Sequence, residues 1–281
     1  MRWQDSRRSD NVEDYRGSRF GGTGLKLGVG GTLIALLAGY FLGIDPRVIL
    51  GLTQAIPTGS EPTAQTGVPT DEGGQFIAAV LGETEDTWSA LFQANGSTYT
   101  PPKLVLYNGE VRSACGSASS AVGPFYCPGD RKVYLDLGFF DELKTRFAAP
   151  GDFAQAYVLA HEVGHHVQTL LGIEDKVRAA QERASEEQKN QLQVKMELQA
   201  DCFAGVWARN ADRARHILEQ GDVEEALKAA SAVGDDTIQK RTQGYVVPDS
   251  FTHGTAEQRM SWFKRGLDNG TVPACDTFGS G

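Results

Sequence analysis

The sequence predicts an α+β domain, mainly helical with a small sheet, preceded by one N-terminal transmembrane helix. Three features carry that prediction. Residues 27–44 form an uncharged apolar run, residues 152–171 and 185–208 repeat apolar side chains at three- and four-residue spacing, and residues 103–107 and 132–137 alternate. The 281 residues are 40% hydrophobic and 22% charged, which supplies a sizeable core and excludes wholesale disorder.

The chain carries 27 Lys plus Arg against 36 Asp plus Glu, a net charge of -9, with no basic run of the kind that neutralises phosphates. Nucleic acid is thereby excluded as the main partner. Arg2, Arg7, Arg8, Arg16, Arg19 and Lys26 precede the apolar run Leu27 to Ile44, which contains no charge. A helix of that length covers about 27 Å, near the ~30 Å hydrocarbon core. The preceding 26 residues are long for the charged leading region of a signal peptide and no A-x-A pattern closes the run, so it reads as an uncleaved, single-pass anchor. The basic flank places residues 1–26 in the cytoplasm and the rest outside it. Gly39 and Gly43 give a GxxxG pattern for helix pairing, and nothing else bears on the oligomeric state. Residues 45–74, rich in Pro, Thr, Gly and Ser, read as a flexible linker, and residues 75–281 as the folded domain.

An even count of four cysteines in an exported domain predicts oxidised pairs. Cys115 and Cys127 close a short loop, which leaves Cys202 with Cys275. No CxxC spacing suggests a thiolate metal site.

The chemistry centres on His161-Glu162-Val163-Gly164-His165, an HExxH motif in the predicted helix 152–171, with Asp152 as its cap and Gly172 as its stop. Residues four apart stack on one helix face, so His161 and His165 can direct nitrogens to one zinc ion. Glu162, about 100° around the helix, is displaced from that axis and suits a general base. His166 points to another face, as an outer-shell or solvent-facing residue. Gly164 in mid-helix predicts that a second helix crosses there closely.

The second helix, 185–208, opens with Ser185 and Gln188 at capping-box spacing and carries Glu197 and Asp201 in an apolar half. Zinc with two histidines needs a third protein ligand and an open position. Glu197 fills the ligand role, and Asp201 accepts a hydrogen bond from a ligand histidine. Glu182 and His253 are reserve ligands.

HEVGHH, followed by ELQADCFAGVWA and later HGTAEQR, resembles the putative neutral zinc metallopeptidase family of bacterial membrane-anchored proteins. The HExxH plus downstream ExxxD pattern is also similar to that of thermolysin-like zinc peptidases. The resemblance implies a zincin-like domain at the bacterial cell membrane, with Zn2+ on His161, His165 and Glu197, Glu162 as base and Asp201 in support. The stretch from His165 to Glu197 is longer than in thermolysin itself, with a charged insertion around Glu174 to Lys189.

The expected reaction is hydrolysis of a peptide or protein substrate, zinc activating a water whose proton passes to Glu162 and on to the leaving amine. The loop from Gly244 to His253 offers a donor for the carbonyl oxygen, His253 first and Tyr245 second. It leads into a helix with Thr255 and Gln258 at capping-box spacing. An edge strand of the small sheet could hold an extended substrate by backbone pairing. Two rivals stand beside this reading: a zinc-binding scaffold without turnover, and a metal-free adaptor. The presence of Glu162 disfavours the first, since a structural site needs no base.

Overall fold

The alternating stretches at 103 and 132 become the centre of a sheet. In the computed structural model the described residues are 1–17 and 64–279. The sheet contains β1 (Val12–Asp14), β2 (Gln65–Thr66), β3 (Lys103–Leu106), β6 (Phe125–Cys127) and β7 (Lys132–Leu135), in the order β2-β1-β3-β7-β6. β1, β3 and β7 run parallel, whereas β2 and β6 are antiparallel edges. A separate hairpin pairs β4 (Glu110–Ser113) with β5 (Gly116–Ser119). The pleat puts Val12, Leu104, Val133 and Tyr126 on one face, because each is opposite the next in register. That face meets the helices, and Val12, Leu104 and Val133 are buried in one cluster with them.

The helices are α1 (Glu72–Ala94), α2 (Gly138–Thr145), α3 (Asp152–Leu170), α4 (Ile173–Gln181), α5 (Glu186–Arg215), α6 (Asp222–Ala232), α7 (Asp235–Gln243) and α8 (Ala256–Asn269). Capping boxes at Ser185/Gln188 and Thr255/Gln258 start α5 and α8 as their spacing predicts. The cap of α3 is Gly151, and Asp152 is instead its first helical residue. Trp88, Phe153, Phe203 and Trp207 join α1, α3 and α5 through ring pairs 5.6 and 5.8 Å apart. Full burial of each such side chain contributes about 1.5–3 kcal/mol.

Two close crossings set the register of the central helices. A Cβ on Gly164 would lie 3.0 Å from the Ala200 carbonyl oxygen, so α3 and α5 cross there, as the mid-helix glycine predicts. On the far side of α5 a Cβ on Gly266 would fall 1.9 Å from the Cys202 oxygen, and only glycine lets α8 approach so near. The disulfides are Cys115–Cys127 and Cys202–Cys275, the expected pairs.

The expected domain boundaries need correction. Met1–Asp14 belongs to the same unit as the chain from Gln65 onward, while the second unit, Tyr15–Ala64, lies almost wholly outside the described residues. β1 pairs with β3, Met1 and Val12 are buried, and Arg7 binds Glu85 and Asp86 on α1 at 2.7 and 2.8 Å. Arg7, counted in the sequence as part of a membrane-flanking cluster, is thus in a tertiary ion pair. The linker assignment also fails at its end, where Gln65–Thr66 pair with β1 and Asp71 caps α1 through the Gly74 N–H. Composition missed both because the ordering comes from strand partners distant in sequence. The apolar run 27–44 and the GxxxG pair lie outside the described residues. No helix among the described residues is long and apolar enough to cross a membrane. β1 and β3 nonetheless pair in one sheet, which places residues 12–14 beside residues 104–106.

Candidate metal centre and active-site cleft

The Gly164–Ala200 crossing brings the HExxH turn of α3 against the Glu197 turn of α5. Glu197 Oε2 lies 3.1 Å from His161 Nε2 and 3.4 Å from His165 Nε2. One ligand atom from each of the three residues falls within 4.8 Å of the others. The imidazole rings are 4.8 Å apart at 88°, so their nitrogens approach the carboxylate from two directions. Two imidazole nitrogens and one carboxylate oxygen are a donor set whose chemistry suits zinc. The residues fit zinc.

Each ligand has a distinct support. Asp201, fully buried, accepts the Nδ1–H of His161 at 2.8 Å, which fixes the tautomer and frees Nε2 for a metal. Asp201 in turn accepts from Arg259 Nε at 2.8 Å, Arg259 Nη2 at 2.9 Å and the Tyr157 hydroxyl at 2.5 Å. His165 Nδ1 donates to Gln168 Oε1 at 2.8 Å, and Gln168 donates to the Met196 carbonyl at 2.7 Å. Gln193 donates to Glu197 Oε1 at 2.9 Å.

The electrostatics follow from these contacts. Burial disfavours the charged form of His161, but the carboxylates of Asp201 and Glu197 outweigh it and raise the imidazolium to about 10. His165 is also raised, burial being outweighed by Glu197. Glu197 is held well below the usual carboxylate range: burial opposes its ionisation, and His165 and His161 more than compensate. Asp201 falls to about 2 because Arg259, with His161, outweighs burial. A metal must therefore displace a tightly held proton from His161.

Beside the cluster opens a cleft of about 760 Å³ lined by Glu162, Val158, Phe139, Phe147, Tyr126 and His253, among others. Glu162 is 8% exposed on the wall next to the ligands, as its helical offset predicts. His253 also lines the cleft and is tied to Asp235, which accepts from the His253 backbone N–H at 2.6 Å and ring Nδ1 at 3.2 Å. That hydrogen bond raises the His253 imidazolium. Tyr245 is 63% exposed and does not line the cleft, so the second-choice donor is corrected: the residues around it run along the surface. Glu182 caps the end of α4 and is no part of the ligand cluster. His166 is not solvent-facing but 1% exposed, and burial pushes it down to about 4. The charged insertion folds as α4 and the first turn of α5, and α3 and α5 still pair.

A sequence profile described as "Putative neutral zinc metallopeptidase" matches residues 1–278. The chain belongs to that family. Among relatives of this neutral zinc metallopeptidase family, the uncharacterized protein YpfJ of Escherichia coli (strain K12) is 52% identical over 289 residues, 99% of each chain. The uncharacterized protein Mb2605 of Mycobacterium bovis is 39% identical over 254 residues, 84% of each. No solved structure matches the chain. The family name implies zinc, in agreement with the His-His-Glu cluster.

Sequence reasoning missed Tyr157, Gln168, Gln193, Asp235 and Arg259. A faint signal existed for three: Tyr157 and Gln193 each precede a ligand by one helical turn, and Gln168 follows His165 by three residues. Arg259 and Asp235 gave none, because their partners lie 58 and 18 positions away.

Proposed function

We propose that the protein is a zinc-dependent metalloendopeptidase that hydrolyses peptide bonds of extended polypeptides. The observation that carries this reading is the convergence of His161, His165 and Glu197 beside a cleft whose wall holds Glu162. Zinc, when bound there, supplies Lewis acidity that polarises a carbonyl and acidifies water. Glu162 takes the proton from the attacking water and delivers it to the departing amine. His253, with Nδ1 engaged by Asp235, keeps Nε2 for the oxygen on which negative charge develops. Asp201 and Gln168 hold the two imidazoles in their ligating tautomer. β6 is an edge strand whose Phe125 and Tyr126 line the cleft, so an extended chain can pair along it.

The two disulfides support a domain that works outside the cytoplasm, and the apolar run 27–44 supports attachment to a membrane. Because β1 and β3 share a sheet, the amino-terminal segment belongs on the same side as the cleft. The test compares zinc content and cleavage of a peptide library for the wild type and Glu162→Gln. The expected result is full zinc in both and cleavage reduced at least about 100-fold in the variant. Equal cleavage by both would remove Glu162 from the chemistry, and zinc without any cleavage would favour the non-catalytic scaffold.

A further inference from the structure

The third histidine of HEVGHH, His166, takes no part in the ligand cluster, and its surroundings give it another task. His166 follows Glu162 by four residues, so the two share a face of α3, turned away from the one that carries His161 and His165. His166 Nε2–H donates to the Thr100 carbonyl at 2.7 Å, which makes Nδ1 the acceptor for the Tyr126 hydroxyl at 3.1 Å. Tyr126 is the middle residue of β6 and meets the imidazole edge-on, with ring centres 5.4 Å apart. Tyr99 packs against the same ring at 5.8 Å. The edge strand is thus strapped to the helix face that bears Glu162.

We infer that His166 and Tyr126 are positioning residues that fix β6 relative to Glu162, so that a polypeptide paired along the strand presents its carbonyl at the base. The inference rests on the peptidase reading and adds to it how the substrate backbone is registered. Both ends of β6 are otherwise tied away from α3: Phe125 stacks on Tyr134 of β7 at 4.7 Å, and Cys127 is bonded to Cys115. The strap at Tyr126 is a direct polar link from the strand to the catalytic helix. Such a link matters because a misplacement of about 1 Å at a reacting group can cost about 100-fold in rate.

Tyr126→Phe removes the hydroxyl and keeps the ring. In the zinc-loaded full chain, the ratio of kcat/KM for a long peptide to that for a blocked dipeptide should fall about 3- to 10-fold, through KM, as expected for one neutral hydrogen bond. Amide exchange at residues 125–127 should speed by a similar factor, with zinc content unchanged. His166→Gln, whose amide can both donate to Thr100 and accept from Tyr126, should retain more of the ratio than His166→Ala. An equal loss on both substrates, or an unchanged ratio with unchanged exchange, overturns the inference. If the wild type cleaves neither substrate, the peptidase reading falls by itself. Binding of the long peptide to Glu162→Gln, with and without Tyr126→Phe, then decides: equal affinities overturn the positioning role, and weaker binding in the double variant sustains it.

Discussion

The two imidazoles that converge on Glu197 stand on unlike supports. His161 leans on a buried carboxylate neutralised by a bidentate arginine and a tyrosine, a network that spans α3, α5 and α8. His165 leans on the neutral amide of Gln168, held by backbone and Gln199 between α3 and α5 alone. A carboxylate partner strengthens the donor power of its imidazole but brings a charge that must be balanced in the interior. An amide orients its imidazole with little electrostatic consequence. The site therefore has a charged, deeply anchored half and a neutral half, and Glu197 bridges them.

The largest effect should come from the bridge itself. Glu197→Ala removes the oxygen common to both halves, and zinc measured on the purified protein should fall to near background, with affinity weakened well over about 100-fold. Retention of full zinc would show that the two histidines find another third ligand.

Next in size is the charged half. Asp201→Asn leaves Arg259 buried at 4% exposure without its carboxylate. The expected cost is about 3–5 kcal/mol of stability, read as a lower Tm, with about 10- to 100-fold weaker zinc binding. Gln168→Ala should cost less, about 3- to 10-fold in zinc affinity, because only neutral hydrogen bonds are lost. Equal effects of the two variants would erase the distinction between the halves.

The smallest effect sharpens the comparison through pH. The His161 imidazolium is raised from its ordinary value of 6.5 to about 10, so its contribution to stability is complete below pH 6.5 and is lost as pH rises through about 10. Chelator-treated protein should lose Tm across that window, and zinc uptake should release protons and tighten with rising pH. Asp201 behaves oppositely: lowered to about 2, it stabilises the fold above pH 3.8 and ceases to as pH falls through 2. Asp201→Asn should flatten the alkaline slope more than Gln168→Ala does. A titration in which the two variants have the same slope would place the extra basicity of His161 elsewhere.

Much of the centre was legible because its residues are paired within single helices. His161 and His165 are one turn apart, as are Glu197 and Asp201, and the period of the helix alone aligns each pair. Gly164 announced the crossing that joins them, since a side chain there would strike α5. His166 lies off the ligand face as expected, but its burial was not legible, because the same periodicity says which way a residue points and not whether a strand lies in that direction. The ion pairs of Arg7 were illegible for a similar reason, as Glu85 and Asp86 are more than seventy positions away in sequence.

By itself the sequence pointed to the cluster of His161, His165 and Glu197, to the capping boxes of α5 and α8 and to the pairing of the cysteines, from helical periodicity, local spacing and an even cysteine count. The tertiary structure alone decided that Arg259 neutralises Asp201, that Asp235 holds His253, that β6 faces the cleft, and that the first fourteen residues belong to the folded unit, Val12–Asp14 as a strand of its sheet. Those contacts unite groups far apart along the chain. A buried charge or an unpaired strand edge states only that some partner is needed, and which partner arrives depends on how the helices and strands pack.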